Sequence, residues 1–169
     1  MTYVHRLDEI APRAWLVYHE EEIGDDDALA RLDACEFDPA RVALVPPGTP
    51  LALDQPPGDY LGEDSRREGS MVVTGRTPGS LSLSIDAPAE GLLVLSEIYY
   101  PGWRATVDGS EAAIVRTDHV LRGIPIPAGE HVVELVYRPA SFLVGIAISG
   151  VALAALVGGG IRAWLGGKQ

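Results

Sequence analysis

Asparagine is missing from the 169 residues, cysteine occurs once and lysine once. Without asparagine there is no acceptor for N-linked glycosylation. A lone thiol, Cys35, excludes an intramolecular disulfide and any cysteine-based metal cluster. Its neighbours Asp33 and Glu36 give it no electropositive surroundings, so a small buried hydrophobe is expected there rather than a reactive thiolate. Positive charge is also scarce: 13 Lys and Arg stand against 24 Asp and Glu, a net charge of -11. A nucleic-acid partner needs a basic patch to displace counterions, and no stretch supplies one. The opening residues MTYVHRLDEIAPRAWLVYHEEE lack a basic region followed by a long apolar core, so no secretory signal is expected.

One long hydrophobic run is present. Residues 142–161, FLVGIAISGVALAALVGGGI, carry no charge, and Ser149 is the single polar side chain. As a helix they span roughly 30 Å, the thickness of a bilayer core. The competing explanation, a buried core helix, fails because a domain this small has little interior for a helix apolar all round. Tyr137 and Phe142 on one side and Trp164 on the other suit the headgroup level, and Arg162 and Lys168 follow in a short tail, 162–169. Gly150, Ala154 and Gly158 recur every four residues, with Gly145 and Ser149 as a neighbouring pair, so a helix-packing face is expected there. The flanking charges, Arg122 and Arg138 against Arg162 and Lys168, tie on the positive-inside count. The chain is then either tail-anchored with its domain in the cytoplasm, or a piece exported by helices that precede it.

Before the span, the apolar runs at 14–18 and 42–45 flank an acid-led helix beginning at Asp25, Asp26 and Asp27, with Leu29 and Leu32 on one face. Residues 1–45 are therefore a strand-helix-strand segment. Residues 46–70 are rich in proline, glycine and mixed charge and predict a linker or surface loop, with an edge strand at 51–53 as an option. After residue 70 the period falls to two. Strands are predicted at 71–76, 80–87, 91–98, 103–107, 112–116, 119–123 and 130–137, and Asp108-Gly109 marks a hairpin. The fold expected is mainly β, an antiparallel jelly-roll-like sandwich over 71–138 that runs straight into one C-terminal transmembrane helix.

The segment LLVLSEIYYPGWRATV at 92–107, with Asp108-Gly109, the PAGEH at 127–131 and YRPASF at 137–142, resembles the C-terminal extracytoplasmic domain of YfhO-like bacterial membrane proteins. APRAWLV at 11–17, the acids at 25–27 and FDPAR at 37–41 resemble that family's juxtamembrane segment. The resemblance covers nearly the whole chain. It implies kinship with polytopic, lipid-linked glycosyltransferases of the GT-C type, which draw on polyprenyl-phosphate sugars to glycosylate envelope polymers. Their catalytic acid sits on loops of an N-terminal multi-helix region that has no counterpart here, so no catalytic residue carries over and no cofactor is implied.

Glu97, Tyr99, Tyr100, Trp103 and Arg104 crowd around Pro101-Gly102. Aromatic faces beside an acid and an arginine suit a sugar, by stacking on it and directing its hydroxyls. The structural explanation has Trp103 and one tyrosine in the core and Arg104 paired with Glu97; strand alternation sends at least half the set inward either way. His19-Glu20-Glu21-Glu22 and the acids at 25–27 lack the pattern of a calcium loop and suit a solvated helix start. His5, His119 and His131 lie too far apart for a zinc motif, and neither a nucleophile elbow nor a phosphate loop is present. The expectation is a non-catalytic, membrane-anchored sandwich on the outer side of the bacterial cytoplasmic membrane, N-terminus out and C-terminus in. It would position an envelope glycan or dock a polytopic partner in the bilayer. The alternative is a single-pass structural subunit of another membrane complex, such as an energy-transducing one, without sugar binding.

Overall fold

The computed structural model describes residues 13–34, 38–51, 53 and 71–166. His5, Cys35, most of the Pro/Gly-rich connection and the last three residues lie outside them. The chain forms β1 (Ala14–Val17), β2 (Glu20–Glu22), α1 (Asp25–Ala34), β3 (Ala43–Val45), β4 (Met71–Thr77), β5 (Ser80–Ala87) and β6 (Gly91–Ile98). There follow β7 (Trp103–Val107), β8 (Ser110–Ala112), β9 (Val115–Thr117), β10 (Leu121–Ile126), β11 (Gly129–Tyr137) and α2 (Ala140–Gly166).

Two antiparallel sheets, ordered β1-β6-β10-β9 and β4-β5-β11-β7-β8, face each other. Period-two patterning builds the space between them. Leu81, Leu83 and Ile85 of β5 and Val133 and Leu135 of β11 point inward against Leu93 and Leu95 of β6 and Ile124 and Ile126 of β10. Burial of each such side chain is worth about 1.5–3 kcal/mol. The serines of β5 and Val132, Glu134 and Val136 of β11 take the other face.

β6 departs from simple alternation because it is buried on both faces. Leu93 and Leu95 serve the inter-sheet core, while Leu92 and Val94 meet Val17, Ala43, Val45 and Val115 in a second cluster. That second layer is the parallel pair β2 and β3 with α1 as the crossover between them, the connection that parallel strands require. Gly123 of β10 makes the close fit possible, since a Cβ there would lie 2.8 Å from a Leu92 methyl.

The mainly β fold, the antiparallel sheets and the long apolar C-terminal helix agree with the sequence reading; several strand assignments differ. The first predicted strand, 14–18, pairs antiparallel with β6, so the parallel partner of β3 is Glu20–Glu22, three acids of poor strand propensity. The predicted strand at 112–116 is two strands in different sheets: Ala112 pairs with Ala105, and Val115 with Gly123. His119 is not in a strand. It and Asp118 adopt φ of 66° and 48°, a tight turn between β9 and β10, and the strand starts at Leu121 and runs on through Pro125. Proline is tolerated there because β9 pairs only as far as Gly123, leaving β10 an edge beyond it. In α1 the buried residue is Ala28; Leu29 is exposed. Leu51 and Leu53 form no strand but pack on the second cluster.

Candidate functional site

The end of the sandwich that feeds α2 is formed by three turns: residues 78–79, 99–102 and 118–120. Two of them hold the strand-to-helix joint. The Tyr137 N–H donates to the Gly79 carbonyl at 2.8 Å, and the Arg138 N–H donates to the Gly102 carbonyl at 2.6 Å. Gly102 has φ of 104°, and a Cβ there would sit 3.1 Å from Pro139 Cα and from the Tyr137 ring. Glycine is required at this position by conformation and by contact together.

Register brings the side chains to the same end. Leu121 pairs with Ile98 but Arg122 with Leu95, so β6 bulges at Ser96 and Glu97. A bulge re-aims the residue it carries. Here Glu97 meets Arg122, which is 2% exposed and donates from Nη2 to the Glu97 Oε2. The guanidinium carbon of Arg122 lies 4.2 Å from the centre of the Trp103 ring. Trp103 packs at 5.4 Å between ring centres on Tyr137, and Tyr137 at 6.4 Å on Tyr100. An acid, an arginine and three aromatic rings thus close one end of the inter-sheet core. Burial pushes the Arg122 pKa down while Glu97 opposes the shift. The buried cation is held by its counter-ion and by the negative face of the indole.

The expected pairing of Glu97 with Arg104 is not made. Trp103 and Ala105 point inward along β7, so Arg104 points out and is exposed. Arg122 takes its place. Neither Arg122 nor Tyr137 figured as a site residue in the sequence. The available signal was an arginine inside the apolar strand LRGIPI, which implies a buried counter-charge.

Two clefts open on this plug and share Trp103 as a wall. One, of about 360 Å³, is lined by Arg76, Thr77, Pro78, Ser80, Leu81 and Glu97. The other, of about 290 Å³, runs along Tyr99, Tyr100, Gly102, Arg104 and Glu111. All five residues singled out in the sequence therefore line one cleft or both. In the first, the Thr77 and Ser80 hydroxyls lie 2.7 Å apart beside the Glu97 carboxylate and the indole, a set able to exchange hydrogen bonds with a polyol.

Beside the plug, Asp118 is buried in the β9–β10 turn. It accepts from the Leu44 N–H at 2.9 Å and from the Thr117 hydroxyl at 3.3 Å. Burial raises its pKa to about 6 against those two hydrogen bonds. At the far end, Asp108 accepts from His131 at 2.6 Å, which raises the histidine pKa and lowers the carboxyl's. Among the described residues no three His, Cys, Asp or Glu side chains converge as metal ligands.

α2 is long and apolar enough to cross a membrane over Ala140–Gly159, and none of that stretch is buried against the rest of the chain. Gly150 and Gly158 have open space where a Cβ would be, and Ala154 between them is exposed. A shallow apolar groove passes along Phe142, Gly145, Ser149, Gly150 and Leu153.

Residues 64–149 match a family model described as bacterial membrane protein YfhO, a stretch that takes in β4 to β11 and the first ten residues of α2. No curated protein and no solved structure matches the chain.

Proposed function

Because the chain belongs to the YfhO family of bacterial membrane proteins, we propose that it is a non-catalytic, membrane-anchored sandwich that holds a sugar unit of an envelope glycan in the Trp103 cleft. The observation that carries this reading is the composition and place of the 360 Å³ cleft. It combines an aromatic wall, two hydroxyls, a carboxylate and a guanidinium at the end of the domain from which the membrane helix leaves. Its volume falls within the range of small-molecule sites, and the mixture of one ring face with convergent polar groups is what a pyranose needs. The domain faces the outer side of the cytoplasmic membrane, where such glycans are found.

Binding is tested on the full chain in lipid nanodiscs with cell-envelope polysaccharide. Thr77→Val with Ser80→Ala removes both hydroxyls from exposed or half-buried positions and should weaken binding about tenfold or more, at roughly 1 kcal/mol net for each hydrogen bond. Unchanged affinity in a variant with an unaltered melting profile would sink the proposal. Trp103→Phe keeps an aromatic wall and should bind with intermediate strength.

A second reading rests on α2. The helix leaves the domain with no side covered, and the positions of Gly150, Ala154 and Gly158 leave room for another helix to approach closely. Here the sandwich serves as a structural subunit of a membrane complex. Gly150→Leu should then release a multi-helix partner on co-purification, while glycan affinity stays as it was.

A further inference from the structure

The helix-bearing end of the sandwich carries apolar and aromatic side chains that reach out past the plug and its clefts. Ile98 is 68% exposed, Tyr100 60%, Val120 44% and Tyr99 40%. Ile98 ends β6 and the others project from two turns that are tied together, since the Tyr99 N–H donates to the Val120 carbonyl at 2.6 Å. The same rim is bonded to the start of the membrane helix through Arg138 and Gly102. Arg138 and Pro139 alone separate the last strand from α2.

Charge is sorted along the same axis. Arg13, Arg76, Arg104 and Arg138 are exposed at or beside this end, and among the described residues none has a carboxylate partner. Of the carboxylates near the rim, Glu97 is committed to Arg122, Asp25 to Arg116 and Asp118 is buried inside its turn, while Glu111 is exposed in the second cleft beside Arg104. At the opposite end stand Asp86, Glu90, Asp108 and Glu130, all exposed. A chain of net charge -11 is repelled as a whole from an anionic surface, yet these four arginines stand on the side of its own anchor.

We propose that this end is a lipid-binding face: the domain is seated on the bilayer, with Ile98, Tyr99, Tyr100 and Val120 in the headgroup layer and the four arginines on lipid phosphates. Tyrosine suits that layer because its ring is apolar and its hydroxyl is wet. Arginines within a Debye length of an anionic leaflet are drawn to it, while the acids at the far end of the domain are held away. The short connection to α2 permits this seating and excludes a domain that swings on a flexible stalk. The proposal stands whether or not the Trp103 cleft takes a sugar.

The test uses the full chain carrying Cys35→Ala and one spin label, at Tyr100→Cys or at Glu90→Cys. Label depth is measured by oxygen and nickel-chelate accessibility in vesicles of phosphatidylglycerol mixed with phosphatidylcholine. The Tyr100 label should report headgroup depth and the Glu90 label bulk water. Arg104→Gln with Arg138→Gln should lower the ratio of seated to lifted domain about fivefold for each neutralised arginine, and Arg104→Glu with Arg138→Glu by more. If Tyr100→Cys impairs folding, Val120→Cys probes the neighbouring turn. A Tyr100 label as water-accessible as the Glu90 label would overturn the proposal, as would a depth indifferent to both charge reversals.

Discussion

Arg122 shows most clearly how a single residue organises this end of the molecule. A guanidinium at 2% exposure is tolerable only with a counter-ion, and the bulge in β6 supplies one in Glu97. Glu97→Gln removes the charge and keeps the shape. Because the Glu97 side chain is itself 22% exposed, the expected loss is about 2 kcal/mol, below that of a fully buried pair. Chemical denaturation measures it, and the double variant Glu97→Gln/Arg122→Met should recover most of the loss.

Asp118 makes a different prediction. Its carboxyl is pushed by burial from the ordinary 3.8 up to about 6 in the folded chain, so between those values the native state holds a proton that the unfolded state has released. Stability therefore falls as pH climbs from about 4 to 6 and is level above, with a total effect of up to roughly 3 kcal/mol. Asp118→Asn keeps an acceptor for the Leu44 N–H and should flatten that slope and raise the melting temperature at pH 8. A slope that survives the substitution would locate its source elsewhere. The His131–Asp108 pair has its own limits: its contribution fades as pH rises through the raised histidine pKa, and again as pH falls through the lowered carboxyl pKa.

Among the elements, β5 and β11 were legible because each has one wet face, and the alternation of Leu81, Ser82, Leu83, Ser84 and Ile85 says so directly. β6 was legible as a strand but not as the centre of three layers. A run such as LLVL has no alternation, so it does not reveal which leucine faces which neighbour. The structure divides them: Leu93 faces the second sheet and Leu92 faces β10 and the β2–α1–β3 layer. Leu93→Ala should cost about 3 kcal/mol in thermal or denaturant unfolding. Gly123→Ala should also destabilise, because its methyl group would displace Leu92. β2 and the β9–β10 turn were not legible. Three glutamates have low strand propensity, Asp118 and His119 stand beside an apolar run that reads as strand, and the bonds that fix both places go to residues far along the chain, as Asp118 does to Leu44.

At the scale of the molecule, α2 makes the chain a membrane protein, and extraction should require detergent rather than high pH or salt. On spheroplasts, external protease should digest the sandwich if it lies outside the cell, as proposed; protection there would instead place it in the cytoplasm. The span, the sheet-forming period after residue 70, the acidic excess and the cluster around Pro101-Gly102 are properties of local order, and the sequence alone determined them. Its order of residues even carried the family resemblance. Which arginine neutralises Glu97, which strand lies between two cores, and which end of the domain carries exposed arginines beside the helix were decided only by tertiary structure. Each depends on register between strands tens of residues apart: the alternation within a strand excludes slips of one residue but does not choose among slips of two, nor say which strand is the neighbour.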